Sequence, residues 1–132
     1  MKVYGLGYSL NDWSAGMRYL EQKGFTTEEM ESAALVARGK KGGHYDLFRN
    51  RVMFPIIDLR GNVIGFGARQ LDSFGPKYLN SSDTPVFKKS RNLFSLNFAK
   101  NSKEKYFILA EGYMDVISIN AAGFQNLSLI HI

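Results

Sequence analysis

The first 37 residues carry apolar positions at the three- to four-residue spacing of helices. Trp13, Met17 and Leu20 fall on one face of a predicted helix, and we expect that stripe to lie in the core. Asn11 or Asp12 has the side chain of a helix N-cap and can begin this helix. The amino-terminal part of the chain is therefore predicted to be helical.

A second short helix is predicted after the first. Thr26 is followed three residues later by Glu29, which is the sequence pattern of a capping box. Gly39 is expected to end this helix, and the polar residues 40–43 are expected to form a flexible turn. Two helices are thus predicted before the first strand.

Beyond residue 45 the apolar pattern changes to the alternation of strands. Residues 51–58 and 62–69 flank a short turn and predict an antiparallel hairpin. Pro55 has no backbone donor, so it marks a sheet edge or a bulge. Gly65 and Gly67 lie on one face of the second strand, where close packing and the approach of a ligand both explain the absence of side chains.

The second half of the chain begins with a long irregular segment. Residues 71–92 are rich in Ser, Asn, Asp and Pro, and such segments are either functional or disordered. A short helix is predicted over 93–100. An apolar strand over 106–110 then runs directly into Glu111 and Gly112, and the pattern after the glycine favours a helix. In α/β units of this kind, ligands bind at the carboxyl edge of the strand.

Composition limits the class of protein. The chain has 132 residues, of which 45% are hydrophobic and 22% are charged, as in soluble globular domains. It contains no cysteine, which excludes disulfides and a cysteine-ligated zinc site. No apolar run reaches membrane-spanning length and no signal peptide is recognisable, so we expect a cytoplasmic protein without a membrane partner.

Positive charge is concentrated in the middle of the chain. The net charge is +5, and residues 38–105 hold fourteen Lys or Arg against five Asp or Glu. Such a concentration suits a polyanionic partner, since Lys and Arg that neutralise phosphates release condensed counterions. A solvated basic surface that aids solubility is the alternative.

An acidic pair follows the strand over 106–110. Glu111 places a carboxylate, a hard oxygen ligand for Mg²⁺, at the carboxyl edge of that strand. Asp115 is four residues later, so at the start of a helix it can point back toward the same place. A plain surface turn would explain the same residues.

Four separated segments of the sequence form one combined pattern. They are Tyr45-Asp-Leu-Phe-Arg-Asn-Arg-Val-Met-Phe-Pro55, Gly61-Asn-Val-Ile-Gly-Phe-Gly-Ala-Arg69, Pro76-Lys-Tyr-Leu-Asn-Ser81 and Tyr106-Phe-Ile-Leu-Ala-Glu-Gly-Tyr-Met-Asp-Val116. In this order and with this spacing, they together resemble the catalytic core of bacterial-type DNA primases, the DnaG family. The resemblance covers about residues 5–125. The last segment resembles the glutamate motif of the Toprim fold as it occurs in those primases.

The resemblance implies a mixed α+β and α/β fold class. Residues 1–104 are expected to form part of the amino-terminal subdomain of a primase catalytic core, with helices and antiparallel strands. Residues 105–132 are expected to form the start of a truncated Toprim domain, with its first strand and helix.

The resemblance also implies the residues of the site. In primases of this type the Toprim glutamate, here Glu111, acts in metal-dependent nucleotide transfer, and Asp115 belongs to the same acidic cluster. The family's two active-site lysines correspond to Lys77 and Lys89. Positions that bind nucleic acid or nucleotide correspond to Arg49, Arg51, Arg69, Tyr78 and Asn80.

The activity implied is that of a nucleotidyltransferase, a DNA-directed RNA polymerase that makes primers for replication. Its cofactor would be Mg²⁺ or Mn²⁺, held by Glu111 and Asp115 as an incomplete ligand set. Its partners would be a single-stranded DNA template, nucleoside triphosphates and a replicative helicase, the last through a domain absent from this sequence.

The chain departs from the family pattern in two places. The Asp-x-Asp pair that completes a Toprim metal site does not occur in the sequence, and residues 127–132 do not follow the family. We therefore expect an interior fragment of a primase that is inactive alone. Two alternatives are a non-catalytic module that binds single-stranded DNA and a Toprim protein of another activity, such as a topoisomerase or nuclease. The segments at 45–55 and 76–81 argue against the latter.

Overall fold

The computed structural model describes residues 4–129 and contains a mixture of short helices and strands. Eight strands and four helices are found in this range. In chain order they are β1 (Gly7–Ser9), α1 (Ala15–Gln22), α2 (Thr27–Ser32), β2 (Val36–Arg38), β3 (His44–Asp46), β4 (Arg51–Ile57), β5 (Val63–Gln70), β6 (Tyr78–Asn80), α3 (Leu96–Ala99), β7 (Ile108–Ala110), α4 (Tyr113–Ala121) and β8 (Leu127–Leu129).

The main sheet is antiparallel, with the strand order β1-β4-β5-β6. Its centre is the predicted hairpin of β4 and β5. Asp58 stabilises the turn of this hairpin, because the Asp58 carboxylate accepts hydrogen bonds from the backbone N–H groups of Arg60 and Asn62. β1 pairs with β4 only as far as Met53, so Pro55 faces an open edge on that side. The prediction for the proline is therefore confirmed.

The first helix differs from the prediction in its start and its environment. Asp12 accepts from the Ser14 N–H at 2.8 Å, but the first turn of α1 is capped by Asp46, which accepts from the N–H groups of Gly16 and Met17 at 2.7 and 2.9 Å. The predicted core stripe is wrong, because α1 contains no buried residue and the side chain of Trp13 is 64% exposed. The helix lies at the periphery, against α2 and β3.

The second helix begins as predicted and ends early. Thr26 and Glu29 form both hydrogen bonds of the capping box. The helix ends at Ser32 instead of continuing to Gly39, because Ala34 takes a left-handed conformation with φ of 56°. The chain then forms β2, which pairs with β3 in a separate two-stranded sheet.

The carboxyl-terminal segment is a parallel strand–helix–strand unit. β7 and β8 pair in parallel, with α4 connecting them. Strand β8 is an addition to the expected single strand and helix. The Phe94 carbonyl holds β8 in place, since it accepts hydrogen bonds from Ser128 Oγ and from the Leu129 N–H, both at 3.0 Å. Residues 127–132 were expected to depart from the family pattern, and of these, residues 130–132 lie outside the described residues.

One aromatic core joins the antiparallel sheet to the parallel unit. Its buried members on one side come from β4 together with Tyr4, Phe87 and Phe94, and on the other side they come from α4 and β8. Phe54 stacks on Tyr113 at 5.0 Å between ring centroids, and Phe94 meets the same ring edge-on at 4.9 Å. No helix within residues 4–129 has the length and apolar character needed to cross a membrane.

Candidate nucleic-acid interface

Three of the predicted site residues meet on adjacent strands of the main sheet. β6 pairs with β5 so that Tyr78 lies opposite Arg69 and Asn80 lies opposite Gly67. The guanidinium of Arg69 lies 5.9 Å from the centroid of the Tyr78 ring, within range of a cation–π contact. The segment 71–92, predicted to be irregular, thus contributes a short strand that presents these residues in register.

Tyr113, at the start of α4, connects this strand to the parallel unit. Its hydroxyl donates to Asn80 Oδ1 at 2.8 Å, and its ring centroid lies 6.4 Å from that of Tyr78. A Cβ atom built on Gly67 would collide with the Tyr113 ring. Close packing, rather than the approach of a ligand, therefore explains Gly67.

Burial keeps the Tyr113 hydroxyl neutral. The side chain is 4% exposed, and this desolvation raises the pKa of Tyr113 well above its usual value of 10.0. Tyr113 was not predicted as a site residue, although it stands two positions after Glu111. The only signal in the sequence was an aromatic residue between two acids, which is not specific.

The two predicted acidic residues share the carboxyl edge of β7. Glu111 follows the last residue of that strand and is exposed, and Gly112 is the N-cap of α4. A Cβ atom on Gly112 would lie 2.7 Å from Asp115 Oδ2, so the Asp115 carboxylate folds back over the strand end.

The chemistry of these two carboxylates suits a divalent cation. Mg²⁺ usually takes one or two protein carboxylates and completes its shell with water and phosphate oxygens, and exposed oxygens at a strand end suit that role. No cluster of three or more His, Asp or Glu suited to hold a metal is found within residues 4–129. Glu111 and Asp115 supply two exposed carboxylates, the number of protein carboxylates that Mg²⁺ usually takes.

Arg49 and Arg51 have different environments although they are two residues apart. The Arg49 guanidinium lies 3.8 Å from the centroid of the exposed Trp13 ring and 5.4 Å from that of Tyr45, and it donates to the Asp46 carbonyl. Trp13, predicted to be core, is therefore part of a surface cation–π contact. This role was missed because its helical spacing also fits a buried stripe.

Arg51 is 6% exposed and donates through Nη1 to the Pro76 carbonyl at 2.9 Å. Burial lowers the pKa of the guanidinium, an effect that Asp72 opposes. A cleft of about 150 Å³ lies beside it, and its lining includes Arg49, Asn50 and Phe74. Arg51 thus holds the residues just before Lys77 in place.

The two predicted lysines are both exposed. Lys77 directly precedes β6, and its carbonyl accepts from the Gln70 N–H at 2.9 Å. Lys89 begins a 3₁₀ turn, Lys89–Arg91, and its backbone N–H donates to Asp83 Oδ1. The ion pair with Asp83 is formed by Lys88 at 3.8 Å. Within residues 4–129, no hydrogen bond or ring contact joins Lys89 to another predicted site residue.

Comparison with known proteins shows similarity over nearly the whole chain. Residues 1–100 match the family described as "DNA primase catalytic core, N-terminal domain". The DNA primase of Clostridium acetobutylicum is 48% identical over 128 residues, which are 96% of this chain and 21% of that protein. The chain thus spans about a fifth of the length of this relative.

Solved structures agree in fold. The RNA polymerase domain of Mycobacterium tuberculosis primase DnaG, in complex with a double-stranded DNA oligomer carrying a 6-nucleotide overhang, is 34% identical with a TM-score of 0.89. The similarity covers 98% of this chain and 41% of that one. A DnaG primase catalytic domain bound to single-stranded DNA is 36% identical with a TM-score of 0.86, over 98% of this chain and 42% of that one. These similarities confirm the predicted fold class.

Proposed function

The chain belongs to the family of DNA primase catalytic cores, and on that premise we propose that it binds single-stranded DNA and nucleotide for primer synthesis. The DNA would lie along a surface that we call the basic groove, formed by Arg49, Arg69, Lys77, Tyr78 and Asn80. Two structural relatives were solved with DNA, one of them with single-stranded DNA, which supports this class of partner.

One observation carries the proposal: strand β6, whose Tyr78 lies opposite the cation Arg69 of β5, meets the acidic end of β7 at Tyr113. Joining nucleotides is phosphoryl transfer, which needs cations near the phosphates and carboxylates that hold a divalent metal. The exposed faces of Trp13 and Tyr78 add aromatic surfaces on which bases can stack without sequence preference. The same surface therefore suits both the template and the incoming nucleotide.

The proposed chemistry divides between the cations and the acids. Glu111 and Asp115 would hold Mg²⁺ or Mn²⁺, which when bound activates the attacking hydroxyl and neutralises charge on the phosphates. Lys77 and Lys89 are proposed to place compact charges beside triphosphate oxygens. The division at residue 104, the Toprim character of the parallel unit and a cytoplasmic location remain parts of this proposal.

The salt dependence of binding to a mixed-sequence single-stranded oligodeoxynucleotide tests the basic groove. Arg49→Ala combined with Lys77→Ala should weaken binding and lower the slope of log affinity against log salt by about 1.4, because each lost phosphate contact contributes about 0.7. Filter binding at several salt concentrations measures both quantities. Lys103→Ala combined with Lys105→Ala removes the same charge outside the groove and is the matched control. Equal losses in the two double variants would exclude the groove.

The chain alone is expected to bind without catalysing. Its sequence has no Asp-x-Asp pair to complete the metal set beside Glu111 and Asp115. Primer synthesis by the 132-residue chain should therefore give no template-dependent product when labelled nucleotides are supplied with either metal. Formation of such a product would contradict this expectation.

A further inference from the structure

The Tyr113 hydroxyl is fixed in place by packing on three sides. Its ring stacks on Phe54, meets Phe94 edge-on and covers the backbone of Gly67. Asn80, which it contacts, is only half-buried and lies at the edge strand β6. A rigid buried hydroxyl thus meets a polar side chain at the border of the basic groove.

In the structure, the Asn80 amide has its oxygen toward the Tyr113 hydroxyl. The Tyr113 hydroxyl donates to Oδ1 at 2.8 Å, so the oxygen faces the core. The two arms of an amide point in different directions, and the NH₂ arm is consequently turned away from Tyr113. The reversed amide would use the hydroxyl as an acceptor and would turn an oxygen outward instead.

The outward group decides what Asn80 can bind. An NH₂ group donates to phosphate oxygens, whereas an outward carbonyl oxygen repels them. Phosphate contacts position a nucleic acid without reading its sequence. Arg69 and Tyr78, which lie on the adjacent positions of β5 and β6, supply a cation and a ring beside the same point.

We propose that Tyr113 is a positioning residue that holds the Asn80 amide with its NH₂ group directed into the basic groove, where it donates to a phosphate of single-stranded DNA. This inference rests on the proposed function and adds to it a residue that need not touch the DNA. The contact between Tyr113 and Asn80 also fixes β6 relative to Glu111, two residues before Tyr113.

A double-mutant cycle on DNA affinity tests the inference. Tyr113→Phe keeps the ring contacts and removes the donor, and Asn80→Ala removes the amide. Each single variant is expected to weaken binding of a mixed-sequence oligodeoxynucleotide about tenfold, as for the loss of a hydrogen bond to a charged group. In the Asn80→Ala background, Tyr113→Phe should have no further effect. Equal effects of Tyr113→Phe in both backgrounds would indicate a merely structural hydroxyl and would overturn the inference.

Asn80→Asp is a second test that leaves the Tyr113 hydrogen bond in place. The aspartate still accepts from the hydroxyl but presents an oxygen where the NH₂ group was. It should bind DNA more weakly than Asn80→Ala, with an unchanged midpoint of urea unfolding. Binding equal to that of wild type would overturn the inference.

The Arg49→Ala, Lys77→Ala double variant distinguishes a failure of this inference from a failure of the proposed function. If it weakens binding while the Asn80 and Tyr113 variants do not, the inference fails and the proposed function stands. If none of these variants changes the affinity, the proposed function fails as well.

Discussion

Two arginines that are two residues apart have different local environments. Arg49 lies over the exposed face of Trp13 and remains available to a ligand, whereas Arg51 is buried and donates to the Pro76 carbonyl. Removal of Arg51 would break this hydrogen bond to the exposed Pro76, and a typical intramolecular hydrogen bond contributes about 0.5–1.5 kcal/mol to stability. We therefore assign Arg51 a supporting role for the loop before Lys77.

The buried hydroxyl of Tyr113 should make stability depend on alkaline pH. Its pKa is raised in the folded state above 10.0, so its contribution is fully present below pH 10 and declines as the pH rises through and beyond that value. The free energy of unfolding should fall by up to about 1.4 kcal/mol per pH unit from this residue. Urea unfolding between neutral and strongly alkaline pH measures the effect.

Tyr113→Phe is the control for this pH dependence. The difference between wild type and the variant cancels the other tyrosines, including Tyr4, whose pKa is also raised by burial. A difference that stays constant across the alkaline range would show that Tyr113 ionises as readily in the folded protein as in the unfolded one.

At the scale of elements, the capping box of α2 permits a direct test. Thr26→Ala removes the side chain that accepts from the Glu29 N–H, and it should lower the free energy of unfolding by about 1 kcal/mol. Thr27→Ala alters the next residue without removing a cap and should have little effect. Urea unfolding of both variants gives the comparison, and equal losses would argue against the cap.

Elements defined by local signals were predictable, and those defined by distant partners were not. The hairpin of β4 and β5 and the start of α2 follow from alternation and capping within a few residues. The apolar run over 33–36 is compatible with a helix or a strand. The strand β2 forms at the end of this run because it pairs with β3. The cap of α1 comes from Asp46, about thirty residues away, which no local pattern reveals.

The resemblance gave candidate site residues, but the sequence did not reveal how they are arranged. The resemblance named Arg69, Tyr78 and Asn80, yet their segment was expected to be irregular, and their register appears only when β6 pairs with β5. Tyr113 joins them through a contact between residues 33 positions apart. Such contacts depend on tertiary packing, which spacing along the chain does not encode.

At the scale of the whole molecule, β8 completes the core that α4 needs. A single strand and helix would have left Val116 partly exposed, but Val116 is 0% exposed because β8 and the aromatic core cover it. The end of the described chain is therefore part of the packed structure. Strand β8 is thus an element beyond the expected first strand and helix.

Leu127→Ala tests the contribution of β8. Leu127 is fully buried, so its truncation should lower the free energy of unfolding by about 2–5 kcal/mol through lost burial and a cavity. Leu109→Ala, on the paired strand β7, removes the same atoms from an exposed position and should cost much less. Equal costs, measured by urea unfolding, would mean that β8 does not pack as described.

The contact between Trp13 and Arg49 provides an intrinsic optical reporter. Trp13 is the only tryptophan in the sequence, so indole emission comes from a single place on the surface. Because that ring is exposed and covered by a guanidinium on one face, its emission responds to any molecule that displaces the cation or stacks beside it. Binding of a ligand at the surface around Trp13 and Arg49 can therefore be followed by tryptophan fluorescence, without attaching a dye.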